Sequence, residues 1–207
     1  VCDQDSNPQN AITRIDLTQR TADVLAQQPA SGSYTVTYYN SQPEAEAGTA
    51  PIINDTNYVG THGEIIWVRV EDTTTNCYNI GSFELEINTP LLLTTPTPLS
   101  MCDNDANPND QHYSFDLTIR DVMITQGLSG YTVAYYPSLT DAQNNTNVIT
   151  NPTAYINVPP AVQTLGVVVT STAGCTSITT LDIRVLPVPT PNTNPAPLAP
   201  KCDDNNP

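Results

Sequence analysis

A sequence repeat sets the size of the folding unit in this chain. The segment VCDQDSNP at residues 1–8 returns one hundred positions later as MCDNDANP at 101–108. Later landmarks recur in the same order: IDLT with FDLT, YTVTYY with YTVAYY, and Cys77 with Cys175. Such self-similarity indicates tandem modules. We therefore expect modules at residues 1–88 and 101–186, a third beginning at 201–207, and a chain that is part of a longer array.

The hydrophobic pattern within each repeat predicts strands. Apolar residues alternate with polar ones, the period of a strand with one buried face. The inward positions predicted on the last hairpin of each copy are Ile66, Val68, Val70, Phe83, Leu85 and Ile87, then Leu165, Val167, Val169, Leu181, Ile183 and Val185. Several short strands in about 100 residues favour an all-β fold, two tandem immunoglobulin-like sandwiches.

Two short segments of each repeat depart from this strand pattern. Residues 17–27 and 117–126 look briefly helical, with Asp16 and Asp116 as candidate caps. Residues 89–100 and 187–200 are rich in proline, which favours extended backbone geometry. We expect these two segments to be semi-rigid linkers that separate the modules.

Five cysteines occur without a Cys-x-x-Cys pair, which argues for structural disulfides and an oxidising compartment outside the cytoplasm. Two disulfide pairings are possible. One joins Cys2 to Cys77 and Cys102 to Cys175, and the other joins Cys77 to Cys102 and Cys175 to Cys202. In a sandwich the first strand starts at the pole where the last hairpin turns. We therefore favour the pairing within modules, which leaves Cys202 to a residue beyond the chain.

The alternating acidic motif after the first cysteine is a candidate calcium site. Alternate oxygen side chains on a tight loop can converge on a hard cation. The candidate ligands are Asp3, Asp5 and Asn7 in the first copy and Asp103, Asp105 and Asn107 in the second. Asp16 and Asp116 are further candidates, although helix capping explains them equally well. The alternative is a pair of Asx-turns without a metal.

The charge pattern excludes several function classes. The net charge is −15, with one lysine and five scattered arginines, so the chain lacks the basic surface that nucleic acids or anionic membranes require. No apolar run reaches the length of a membrane-spanning helix. Nucleophile-elbow, zinc-protease and phosphate-loop motifs do not occur. We expect a protein that is not an enzyme.

A carbohydrate-binding module is the alternative function. Trp67 has the outward parity of its strand, where an aromatic ring can form a platform for a sugar, and its counterpart in the second copy is Gly166. A single outward tryptophan is also commonly covered by a loop or a neighbouring module.

The order of motifs in each copy resembles the tandem repeats of very large cell-surface proteins of the Bacteroidetes. These proteins are exported by the type IX secretion system and are often labelled gliding-motility-associated. The resemblance rests on residues 2–7, 16–18 and 34–39 and on their counterparts from Cys102 onward. It implies a secreted adhesin or filament stalk. The implied partners are neighbouring repeats of the same chain and, through other domains, surface glycans or a substratum.

Overall fold

The computed structural model describes residues 1–30 and 32–196, which form two modules with the same order of elements apart from one additional strand at the start of the second. The first contains β1 (Ile12–Ile15), α1 (Thr21–Leu25), β2 (Tyr34–Tyr39), α2 (Gln42–Ala47), β3 (Tyr58–Thr61), β4 (Ile65–Asp72) and β5 (Tyr78–Glu84). The second contains β6 (Leu99–Cys102), β7 (Ser114–Phe115), α3 (Asp121–Ile124), β8 (Tyr131–Tyr136), α4 (Leu139–Asn144), β9 (Tyr155–Ile156), β10 (Val162–Ser171) and β11 (Thr176–Leu186). Short 3₁₀ helices span Leu17–Arg20, Asp55–Asn57, Leu117–Arg120 and Pro152–Ala154.

Two tandem modules built mainly of strands were predicted, and the structure confirms them at that level. The predicted third repeat at 201–207, with Cys202, lies outside the described residues, as do residues 197–200 of the second predicted linker. No helix within the described residues has the length and apolar character needed to cross a bilayer.

Each module contains a main sheet and a two-stranded sheet. In the second module the main sheet has the order β6-β11-β10-β8, and β7 pairs with β9. In the first module the corresponding sheets are β2-β4-β5 and β1-β3. The named strands all pair antiparallel except β6, which runs parallel to β11 with Cys102 opposite Leu186. A parallel bridge between Cys2 and Asn88 occupies the equivalent place in the first module.

The predicted alternation of apolar and polar positions is confirmed in both last hairpins. Ile66, Val68, Leu85 and Ile87 are buried in the first module, where Val70 and Phe83 are partly buried. All six predicted inward residues of the second hairpin are buried. These side chains meet Leu17 or Leu117 from the segment after the first strand of the small sheet. Burying each such side chain contributes about 1.5–3 kcal/mol to stability, so the main sheet and the small sheet of each module are held together mainly by the core between them.

A short helix covers the outer face of each main sheet. Ala142 of α4 is 3% exposed, and α4 lies so close to β10 that a Cβ at Gly166 would clash with the Ser138 carbonyl oxygen. Because helix and core cover opposite faces, the adjacent Tyr135 and Tyr136 are both buried. The backbone of Asp141 donates to the Ser138 hydroxyl, which caps α4.

The predicted helical segments after Asp16 and Asp116 are also present, each as a 3₁₀ turn followed by a short α-helix. Asp16 Oδ1 accepts from the backbone N–H of Thr18 at 3.0 Å, and Asp116 accepts from Thr118 at the same distance. Both carboxylates therefore cap helical turns, as one of the two readings of the sequence predicted.

A buried tyrosine links each helical segment to the main sheet. The Tyr135 hydroxyl lies 2.6 Å from Asp121 Oδ1 and 3.0 Å from the Leu117 carbonyl oxygen. Burial, together with the neighbouring carboxylate, raises the pKa of Tyr135, and burial raises the pKa of Asp121. In the first module the Tyr38 hydroxyl instead pairs with Thr21 Oγ1 at 2.9 Å.

Candidate functional site: the junction between the modules

The junction carries a disulfide bond that joins one module to the other. Cys2 is bonded to Cys175, 173 positions later, with 5.4 Å between their Cα atoms. Cys2 is held beside Asn88 at the end of the first module by the parallel bridge. Cys175 lies in the turn between β10 and β11, and its Sγ is 3.5 Å from the Asn88 carbonyl oxygen. The exit of the first module is thereby fixed to the hairpin turn of the second.

The favoured disulfide pairing from the sequence is therefore wrong. Cys2 does not bond to Cys77, and Cys102 does not bond to Cys175. The competing Cys77–Cys102 and Cys175–Cys202 pairing is wrong as well, because Cys77 and Cys102 are free and exposed and Cys175 is bonded to Cys2.

The direction of the first strand explains this error. The prediction placed the start of the first strand, and the cysteine with it, at the pole of the hairpin turn. In the structure the cysteine lies at the end of that strand. Cys102 lies opposite Leu186, whereas Cys175 directly precedes β11. At about 3.3 Å per residue, β11 separates these two cysteines by roughly 36 Å, far beyond the Cα separation of about 7 Å that a disulfide tolerates.

The segment that enters the second module is docked along it. Leu91 and Leu93 pack against the second module's core. The Leu91 carbonyl accepts from Ser177 Oγ at 2.6 Å, and the Leu92 carbonyl accepts from Gln126 Nε2 at 2.7 Å. Residues 89–100, predicted to be a spacer between modules, therefore run beside β11 and continue into β6.

The first module also contacts this segment. Gln9 Nε2 donates to the Pro90 carbonyl at 2.7 Å, and Pro90 is buried. The junction is therefore held by one disulfide, by the chain itself and by hydrogen bonds from both modules.

The acidic loops follow Cys2 and Cys102 directly. In the second module, one oxygen each from Asp103, Asp105 and Asp110 lies within 4.8 Å of the others. Asn107, a predicted ligand, instead donates from Nδ2 to Asp110 Oδ2 at 2.7 Å. Sequence reasoning missed Asp110 because the equivalent residue of the first copy is Asn10, so the carboxylate does not repeat.

In the first module the corresponding loop has the same turn at Asp5, whose Oδ1 accepts from the backbone of Asn7 at 2.7 Å. Asp3 is fully buried, and neither of its carboxylate oxygens has a hydrogen-bond partner. The predicted ligands Asp3, Asp5 and Asn7 thus share one loop in which the aspartate nearest to the disulfide is inaccessible to solvent.

Trp67, the candidate sugar platform, lies on the helix-covered face of the first module. It is opposite Tyr39 in the pairing of β4 with β2 and is partly buried. Arg69, two residues further on, donates to the α2 carbonyls of Ala45 and Glu46. Helix α2 therefore lies over this side of β4, on the face that also carries Trp67.

A family model described as "Flavobacterium inter-domain disulphide bond domain" matches the chain twice, over residues 1–91 and 98–189. A search of curated proteins finds no match. The two matched ranges correspond to the two modules joined by Cys2–Cys175.

Proposed function

Because the chain belongs to the Flavobacterium inter-domain disulphide bond domain family, we propose that it is a non-catalytic structural part of an extracellular stalk whose successive modules are locked together by disulfides. The observation that carries this proposal is the Cys2–Cys175 bond across the junction. A single polypeptide link allows two modules to rotate relative to each other, whereas a second covalent connection beside that link removes most of this rotational freedom.

The repeat extends this arrangement to further modules. Cys102 has the position in the second module that Cys2 has in the first, and Cys77 corresponds to Cys175. Both are free and exposed. In a longer array Cys102 bonds to the hairpin cysteine of the following module, and Cys77 bonds to the first cysteine of the preceding one. Each module then shares one disulfide with the module on each side.

The bond also changes how a pulling force passes through the molecule. The shortest covalent path enters at Cys2, crosses to Cys175 and continues along β11, so it bypasses residues 3–174. Strand β11 lies between β6 and β10 and is hydrogen-bonded on both edges. A force applied at Cys175 and at the C-terminal end of this strand is carried by the backbone of β11 itself. The bypassed residues of both modules do not carry the pulling force, which suits a stalk.

The strand order supports the finer assignment of each module as an immunoglobulin-like sandwich. In that fold the C, F and G strands form one sheet and the B and E strands lie in the other. Strands β8, β10 and β11 are adjacent in the C-F-G order, and β7 pairs with β9 as B pairs with E. In the chain, the short helix α4 follows β8 at the point where variable-type members of that fold have further strands.

The compartment follows from the same bond. Stable structural disulfides form in oxidising surroundings, so the stalk functions outside the cytoplasm. The surface location, export by type IX secretion and an adhesive role in gliding rest on the resemblance of the repeats, with binding to glycans or a substratum assigned to other domains.

Electron microscopy of the purified chain tests the proposed rigidity. The angle between the modules should be narrowly distributed in the oxidised protein and broad in Cys175→Ser. Cys77→Ser removes an exposed free thiol and is the matched control, with an unchanged distribution. Equal angular spread in the oxidised protein and in Cys175→Ser would show that the bond does not stiffen the junction.

A further inference from the structure

Three carboxylates of the second module converge although they carry the same charge. The oxygens of Asp103, Asp105 and Asp110 that face one another lie within 4.8 Å. None of these residues belongs to an ion pair of the described residues, which are Arg20–Asp23, Arg69–Glu71 and Arg184–Asp182. Their mutual repulsion therefore has no compensating basic side chain in the described part of the chain.

Burial of Asp103 is a second, independent observation. Its side chain is fully buried, and Oδ1 has no hydrogen-bond partner. Buried carboxylates are normally paired, hydrogen-bonded or bound to a metal, because an ionised group loses its hydration on burial. This buried carboxylate also contributes one oxygen to the cluster with Asp105 and Asp110.

Backbone hydrogen bonds hold all three carboxylates in position. Asp103 Oδ2 accepts from Gln111 N at 2.8 Å, Asp105 Oδ1 from Asn107 N at 2.9 Å, and Asp110 Oδ1 from His112 N at 2.9 Å. Asp103 and Asp105 each keep a second oxygen for a ligand, whereas Asp110 Oδ2 also accepts from Asn107 Nδ2 at 2.7 Å. The arrangement is set before any ion arrives.

We propose that Asp103, Asp105 and Asp110 bind one calcium ion. Two oxygens bound to the same ion at about 2.4 Å are at most about 4.8 Å apart, which the cluster satisfies. Calcium takes several oxygen ligands in flexible geometry and accepts carboxylates together with carbonyls and water. The Asn107 amide donates from Nδ2 to Asp110 Oδ2 and so orients that carboxylate.

The ion stiffens the end of the first strand. The backbone of Asp103 donates to the Leu186 carbonyl at 2.9 Å, so the residue that enters the site is also tied to the last strand of its module. Cys102, which precedes it, is the cysteine that the proposed array uses for the following module. Calcium binding to this chain does not depend on that array.

The first module provides the matched comparison within the same chain. It retains Asp3 and Asp5 but has Asn10 in place of Asp110, and Asn10 Oδ1 accepts from Ile12 N just as Asp110 Oδ1 accepts from His112 N. The backbone turn is therefore the same with one charge fewer. Asp110→Asn reproduces this difference in the second module while keeping the hydrogen bond to the backbone.

Titration calorimetry and thermal unfolding of the full chain, stripped with EDTA and then given CaCl₂, test the proposal. We expect saturable binding with a dissociation constant at or below about 1 mM and a higher melting temperature in CaCl₂ than in EDTA. Asp110→Asn should weaken the affinity about tenfold or more. Asp23→Asn, which removes a carboxylate whose side chain is 70% exposed, should bind calcium as the wild type does.

Three results would overturn the proposal. The first is a wild-type chain with no binding heat and the same melting temperature in 10 mM CaCl₂ as in EDTA, a result that needs no variant to fold. The second is wild-type affinity in Asp110→Asn. The third is an equal response to MgCl₂ at the same concentrations, which would exclude a site selective for calcium.

Discussion

Pulling the chain by its two ends should lengthen it very little while the Cys2–Cys175 bond is intact. Only residues 1–2 and 175–207 then lie on the covalent path between the ends. At about 3.4 Å per residue this path cannot exceed roughly 120 Å. Both modules can lose their structure without any further extension, because residues 3–174 form a closed loop.

Cleavage of the bond should release the hidden length. The 173 residue spacings between the cysteines, less the 5.4 Å already separating their Cα atoms, give about 580 Å of new extension when both modules unfold. Optical tweezers with handles at the termini can measure this before and after a reductant is added. The Cys77→Ser, Cys102→Ser double variant removes the free thiols and prevents disulfide exchange during the experiment.

Cys175→Ser is the control for the same measurement, since it should extend fully without reductant. An oxidised double variant that lengthens by several hundred ångström before reduction would refute the reasoning, because residues 3–174 would then lie on the load path.

Three further predictions concern the free energy of unfolding, measured by chemical denaturation. Gly166→Ala places a methyl group 2.5 Å from Ala142 Cβ and should cost about 1–3 kcal/mol, whereas Gly81→Ala, whose nearest contact is 3.6 Å away, should change stability by less than about 0.5 kcal/mol. Asp116→Ala removes the cap on the Thr118 N–H and should cost about 1 kcal/mol. Tyr135→Phe should cost about 1 kcal/mol of stability at neutral pH. Because the pKa of Tyr135 is raised in the folded state, the tyrosine's contribution to stability is present below the unfolded tyrosine pKa of about 10 and is lost as the pH rises above that value. The stability difference between the wild type and Tyr135→Phe should therefore shrink above about pH 10.

The sequence was sufficient to predict features that depend on local pattern. Alternation identified the buried faces of β4 and β10 because a half-buried strand requires a period of two. The cap at Asp16 was also recognisable, since a short acidic side chain before a helical segment satisfies a free N–H in the first turn. Both features are decided by residues that are close in the chain.

The disulfide depended on a contact that is not local. Within-module and between-module pairings have the same period, so the repeat could not distinguish them. What decides is that β6 runs parallel beside β11 and places Cys102 at the far end of the module. Prolines obscured this strand, although the alternating Leu91 and Leu93 were a usable sign that residues 89–100 have one buried face.

The acidic loop shows a different limit of repeat-based reasoning. Asp3, Asp5 and Asn7 were chosen because they recur, which favoured Asn107 and hid Asp110. The structure brings Asp110 to Asp103 across the six intervening residues, and a comparison of the two copies could not reveal a carboxylate that only one of them contains.

Peptide mapping without reduction is the most direct test of the central claim, that a disulfide joins neighbouring modules. The purified chain, alkylated before digestion, should yield a peptide pair that joins Cys2 to Cys175 and should carry the alkyl label on Cys77 and Cys102. Recovery of Cys2 joined to Cys77, with Cys102 joined to Cys175, would contradict the account, because the modules would then be closed individually and connected by the polypeptide alone.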